Sequence, residues 1–265
     1  MKTTSLLLAL ASISLAAPTG ATLIYEHSFD TLPLGAVTGA QLQAASPGAT
    51  WFLPNRSGTA WTIEADASGN NDLSLKIDDS DTTGNANEQQ LVGMNLTTAI
   101  DLTTLGVGGT AQVNFQVASA RNGTNKHQIY RLAGEDGTQA LDLRWNNDGS
   151  FFANEVPVGF AGTLPTLAPN LSPWNSTSSV VYDVSITVAH DGTVNGTFNG
   201  VAFTSAFANG QTTIDRFQYH SSGTSVAQRG GFINDITFET FAVPEPSTAA
   251  LVGLGLLGLT LRRRR

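Results

Sequence analysis

Between Val180 and Phe203 apolar and polar residues alternate with a period of two, which rules out a helix over that stretch. Tyr182, Val184, Ile186 and Val188 fall on one face, and Asp183, Ser185 and Thr187 fall on the other. Extended backbone points successive side chains to opposite sides, so this is a strand with one buried face. Asp191-Gly192 and Asn199-Gly200 follow. Such dipeptides accept positive φ and reverse the chain tightly. Val194 to Phe198 and Val201 to Thr204 are the returning strands, so a three-stranded meander is predicted.

The same pattern recurs along the chain. Leu73, Leu75 and Ile77 alternate with Ser74 and Lys76, and Val113, Phe115 and Val117 alternate with Gln112, Asn114 and Gln116. Further strands are predicted at Leu23–Phe29, Gln128–Leu132, Leu141–Trp145, Ser150–Asn154, Ile214–His220 and Phe232–Phe241. Leu141–Trp145 and Ser150–Asn154 form a hairpin around Asn147-Asp148-Gly149. Pro157 to Pro173 reads as a long loop, because proline cannot donate to a sheet ladder. About eleven to thirteen strands without interleaved helices call for two packed antiparallel sheets.

The two ends differ in composition from this middle. Lys2 precedes an apolar run from Leu6 through Ala11 and on to Ala17, the pattern of a secretory signal peptide. Cleavage after Ala21 fits the small residues there, and cleavage after Ala16 is the alternative. Ser247 to Leu261 is apolar and is followed by Arg262, Arg263, Arg264 and Arg265. A single C-terminal apolar helix is expected there, with its arginines held at the cytoplasmic face. It is short for a permanent span, which needs roughly 20 residues. The division is therefore 1–21 signal peptide, 22–242 β-sandwich domain and 243–265 tail.

The 22–242 segment carries eight Lys and Arg against twenty Asp and Glu, a net charge of −12. Nucleic acid is excluded as a partner, since phosphate neutralisation needs clustered cations. Neutral polysaccharide and bound cations are compatible with it. Without cysteine, thiol nucleophiles, Fe–S clusters and thiolate zinc sites are excluded.

The strand order resembles the concanavalin A-like, or laminin G-like, jelly roll. It runs from an N-terminal strand with Phe29-Asp30 through the strand at 69–75 and the Tyr182 meander to a closing Phe232-Ile233-Asn234-Asp235-Ile236 strand. The resemblance implies an all-β, two-sheet antiparallel jelly-roll sandwich in which the last strand returns beside the first. Val243-Pro244-Glu245-Pro246, the apolar block and the arginine cluster together resemble the PEP-CTERM sorting signal of Gram-negative bacteria. That resemblance implies an exosortase-type enzyme reading Pro244, Glu245 and Pro246, transient insertion of the tail in the inner membrane with Arg262 to Arg265 as stop-transfer, and a cell-surface, exopolysaccharide or biofilm setting. Two prolines flanking Glu245 hold an extended segment with few backbone donors, a shape suited to a protease cleft.

Hydrolytic members of the jelly-roll family pair carboxylates along a strand. Glu64-Ala65-Asp66 begins such a pattern, but Ser68 and Gly69 stand where the second glutamate belongs. Retaining hydrolysis needs two carboxyl groups about 5–5.5 Å apart, so no catalytic residue is assigned. Asp78, Asp79 and Asp81 are candidate calcium ligands, with Asn85, Asn87 and Glu88 as additions. Trp51, Trp61, Trp145 and Trp174 are candidates for stacking on sugar rings. His27, His127, His190 and His220 form no metal motif and read as packing residues. A non-catalytic carbohydrate- or matrix-interacting module is expected. The alternatives are a polysaccharide-degrading enzyme with an unrecognised site and a passive coat protein.

Overall fold

The computed structural model describes residues 20–52, 59–65, 73–79, 90–121, 127–134, 137–146, 150–157, 181–222 and 229–243. The strands are β1 Thr22–His27, β2 Gly35–Ala36, β3 Ala49–Phe52, β4 Thr59–Ala65, β5 Leu73–Asp79, β6 Gln90–Asp101, β7 Thr110–Arg121 and β8 His127–Ala133. They continue as β9 Gln139–Asn146, β10 Phe151–Ala153, β11 Val156–Pro157, β12 Val181–Ala189, β13 Thr193–Phe198, β14 Val201–Ala206, β15 Thr213–Ser222 and β16 Arg229–Phe241. Helix α1 spans Gly39–Ala45, and a 3-10 turn spans Leu102–Leu105.

Nine strands form one sheet in the order β14-β13-β12-β7-β16-β5-β4-β2, with β1 also on β16. Seven form the other, in the order β11-β10-β9-β8-β15-β6-β3. The central pairings are antiparallel. This is the expected two-sheet sandwich, and the closing strand does return beside the first, with His27 opposite Ile236 and Thr22 opposite Thr240.

β16 serves two partners along one side. Its first half pairs β5 from Arg229 to Ile233, and its second half pairs β1. The hand-over falls at a bulge between Asn234 and Thr237, where Asp235 has φ 47°. A bulge inserts an unpaired residue and bends the strand, which frees one side of β16 to change neighbours.

Aromatic side chains join the sheets. Phe115 of β7 packs edge-on against Phe217 of β15, with ring centroids 5.0 Å apart, and Phe217 reaches Phe238 at 6.4 Å. A second cluster puts Trp145 of β9 against Tyr182 and Phe198, at 5.1 and 4.9 Å. Offset and edge-on rings add about 0.5–1.5 kcal/mol per pair beyond the area they bury. The predicted meander is present as β12, β13 and β14. Asn199 (φ 48°) and Gly200 (φ 76°) form its two-residue turn, and Gly192 (φ 82°) helps close the other.

Three expectations are corrected. Pro157 is not loop but ends β11, the edge strand of the seven-stranded sheet, a position where a missing N–H costs nothing. The helix that the structure describes is α1, near the N-terminus, not one at the C-terminus. Thr38 caps α1, with Gln41 N–H donating to Thr38 Oγ1 and Thr38 N–H donating to Gln41 Oε1. Among the described residues no helix is long and apolar enough to cross a membrane. The expected C-terminal apolar helix, and the inner-membrane tail built on it, therefore do not stand; residues 244–265 lie outside the described residues.

Candidate functional site on the outer face of the seven-stranded sheet

β15 is an interior strand of the seven-stranded sheet, between β8 and β6. Ile214 and Phe217 are both in the core although three residues apart, and the register shift between Ile214 and Arg216 accounts for it. That shift puts Phe217 and Tyr219 inward and Arg216, Gln218 and His220 on the opposite face. Side chains at i, i+2 and i+4 line one face at about 7 Å intervals.

Strand pairing extends this line sideways. Arg216 is opposite Asn95 of β6 and Ala133 of β8. Gln218 is opposite Gly93, which is itself opposite Phe52 of β3, and opposite Arg131, which pairs with Asp142 of β9. His220 is opposite Ile129, which leads to Arg144 and then to Phe152. The outer face thus carries three arginines, two amides, an imidazole and two phenyl rings. Gln218 (7% exposed) and His220 (4%) are buried although they point away from the core.

Each arginine is held differently. Arg131 grips Asp142 through two parallel bonds, Nε to Oδ1 at 2.6 Å and Nη2 to Oδ2 at 2.7 Å. These bonds, more than the burial that opposes them, raise the Arg131 guanidinium above its ordinary pKa. Arg144 reaches Glu155 Oε2 at 2.6 Å and lies over the Phe152 ring, 4.4 Å from its centroid. Arg216 donates from Nε to Asn95 Oδ1 at 2.6 Å and lies 5.6 Å from the Phe52 centroid. Two cations bring their own carboxylates, whereas the third is bonded to a neutral amide. His220 Nε2 is 3.3 Å from Gln218 Oε1.

Two local features hold the face in shape. A Cβ on Gly93 would fall 2.1 Å from Phe52 Cζ, so the bare backbone of Gly93 is what lets the ring lie flat across β6. At the opposite edge Asn154 and Glu155, with φ 49° and 63°, make the two-residue turn between β10 and β11. Asn154 Oδ1 accepts from Asp142 N–H at 2.8 Å, and its amide donates to Ala206 carbonyl oxygen at 2.7 Å. That bond ties the seven-stranded sheet to β14 of the other.

The outer face of the nine-stranded sheet is different in kind. Gln112 bonds Asn114 at 3.2 Å, Asn114 bonds Thr237 at 3.2 Å, and Gln116 bonds Asp183 at 3.0 Å. These groups bond one another, whereas Asn234, opposite Gln116, is buried with neither side-chain amide atom bonded among the described residues.

Of the residues singled out in the sequence, Trp51 and Trp145 are core residues, 6% and 0% exposed, so neither presents a face for a sugar. His27 is buried against Phe29 and Trp51, with ring centroids at 4.3 and 6.1 Å. Asp78 and Asp79 end β5. Their side chains, those of Trp61, Glu64 and His127, and the whole of Asp66, Asp81, Asn85, Asn87, Glu88 and Trp174 lie outside the described residues. Among the described residues no three His, Asp or Glu gather in a way that could hold a metal. Pro244, Glu245, Pro246 and Arg262 to Arg265 also lie outside them. The last described residue, Val243, donates its N–H to Leu105 carbonyl oxygen at 2.8 Å, beside the 3-10 turn.

No curated protein matches the chain. Among solved structures it is similar to a protein of unknown function from Shewanella oneidensis MR-1 (13% identity, 89% of this chain, 92% of that one, TM-score 0.49). It is also similar to a protein of unknown function with a galectin-like fold from Bacillus subtilis (10%, 86% and 100%, 0.46). The carbohydrate recognition domain of Emp47p is a third (10%, 84% and 97%, 0.44). Residues 242–265 match the family model described as the PEP-CTERM protein-sorting motif. Export to the cell surface thus rests on this motif, without the membrane helix expected beside it. The chain is a two-sheet β-sandwich that ends in a PEP-CTERM protein-sorting motif.

Proposed function

We propose that the protein is a non-catalytic glycan-binding module of the extracellular matrix, delivered there by an exosortase-type enzyme that reads Pro244, Glu245 and Pro246. The outer face of the seven-stranded sheet is the binding surface. The observation that carries this reading is the half-buried Arg216 guanidinium, set beside Asn95 and the half-buried ring of Phe52. The Asn95 amide and the Arg216 guanidinium supply directional bonds for hydroxyl groups, and an aromatic face supplies apolar contact for sugar C–H groups.

Hydrolysis finds no support on this face, because Asp142 is locked in its fork with Arg131 and Glu155 is paired with Arg144. The degrading alternative has one observation in its favour. His220, 3.3 Å from Gln218, is an imidazole on the same side of β15 as Arg216, a residue type that acid–base catalysis uses.

The test is a glycan-array screen of the full chain, with calcium and with chelator, followed by product analysis of every polymer bound. Binding without shortening of the polymer supports the module, and loss with chelator brings in Asp78, Asp79 and Asp81. Shortened products that vanish in His220→Ala establish the enzyme instead. No binding leaves the coat-protein reading.

A further inference from the structure

We propose that the glycan taken by this face carries carboxylates, as a uronate polymer does, and that one carboxylate is received by the open edge of the Arg216 guanidinium. The inference rests on the reading of the face as a glycan surface and names the class of glycan.

The face builds an arginine–carboxylate pair twice with its own residues, Arg131 with Asp142 and Arg144 with Glu155. Arg216 has the same half-buried setting and, among the described residues, no such partner: its acceptor there is the uncharged Asn95. Holding a cation partly out of water is unfavourable unless an anion or hydrogen bonds compensate. A neutral glycan would leave that cost standing, whereas a ligand carboxylate would offset it.

The guanidinium is already positioned for this. Asn95 takes Nε, the Phe52 ring lies 5.6 Å away, and Gly137 leaves room beside it, since a Cβ there would fall 2.7 Å from Nη1. A planar fork fixed in this way matches the geometry of a carboxylate and loses little freedom on binding.

Charge strengthens the argument. The chain has 13 Lys and Arg against 21 Asp and Glu, so most of its surface repels a polyanion. An anionic polymer is therefore steered to the place where a cation has no carboxylate partner among the described residues. Such binding weakens with salt, as contacts between opposite charges do.

The experiment uses the full chain and immobilised polygalacturonate, polymannuronate and polyglucuronate, because the linkage is not fixed by the argument. Each polymer is tested beside its carboxyl-reduced form, which keeps the backbone and removes the charge. The expected result is binding to at least one uronate polymer and about tenfold or more weaker binding to its reduced form. Arg216→Gln is expected to lose about tenfold or more toward the charged polymer, and Arg216→Lys is expected to fall between. Equal binding of charged and reduced polymers, or full affinity in Arg216→Gln, overturns the proposal while leaving glycan binding intact. Equal binding of dextran sulfate with the same dependence on Arg216 overturns the assignment to carboxylates. Failure to bind any polymer, charged or neutral, overturns the glycan reading itself. The comparison of charged and reduced polymers on the unaltered chain stands even if the variants fold poorly.

Discussion

Acidification should unfold this protein in part through a single side chain, His27. The ring is 5% exposed, and burial pushes its pKa from 6.5 down to about 4, against the smaller upward pull of Asp30. Nε2 has no hydrogen-bond partner among the described residues. Above pH 6.5 the imidazole is neutral in both folded and unfolded chains, and its stabilising contribution is fully present. As the pH falls, the unfolded chain takes up a proton that the folded chain refuses, so stability drops until the folded pKa near 4 is passed. A depression of about 2.5 units is worth about 3 kcal/mol at 1.36 kcal/mol per unit. That is a large share of the roughly 5–15 kcal/mol that holds a typical domain. The assay is chemical denaturation of the full chain and of His27→Leu at several pH values from about 7.5 to about 4. Carboxylates titrate in both proteins, so the difference between the two curves isolates residue 27. The variant should match or exceed the parent at neutral pH and should lose about 3 kcal/mol less on acidification. Parallel curves would refute the reasoning and mean that the imidazole is protonated in the fold with a partner.

Three further outcomes are expected. Arg131→Met should cost about 3 kcal/mol, because it strands the buried Asp142 carboxylate, and Arg131→Met with Asp142→Leu should recover most of that in denaturant titrations. Asn154→Ala should cost about 3 kcal/mol through lost bonds and a strained positive φ, and Asn154→Gly about 1 kcal/mol less, because glycine keeps the φ of 49°. Gly93→Ala should displace the Phe52 ring, lowering stability by only about 1 kcal/mol but weakening polymer binding at the same time; unchanged affinity would remove Phe52 from the binding surface.

Much of the sandwich was legible because its strands keep strict alternation and its turns carry Asn-Gly or Asp-Gly. β12 to β14 are the clearest case. β6 was not found although Val92, Met94 and Leu96 alternate correctly into the core. Gly93 breaks the apparent strand propensity, and the reason for it is the Phe52 ring on the neighbouring strand, which no local window contains. α1 was missed as well, despite a Thr38–Gln41 capping box in plain view, because a helix of seven residues with Leu42 as its buried residue is too short to establish a period. The candidate site was hidden for a related reason. Ile214 to His220 is predicted as a strand, but of Arg216, Gln218 and His220 only His220 is singled out in the sequence, and then as a packing residue. The burial of Gln218 and His220, and the neutral partner of Arg216, appear only when β3, β6, β8 and β9 are laid alongside. The tryptophans misled in the opposite direction: a large ring near polar residues suggests sugar stacking, yet Trp51 and Trp145 fill the core.

The most direct test of the account is amide hydrogen exchange on the full chain, free and saturated with the polymer that binds best. The account predicts slowed exchange along Arg216–His220, at Phe52 and Gly93, and at Arg131, all on one face of the seven-stranded sheet. Protection confined instead to Gln112–Gln116 and Asp183–Thr187 would place the ligand on the opposite face and contradict it.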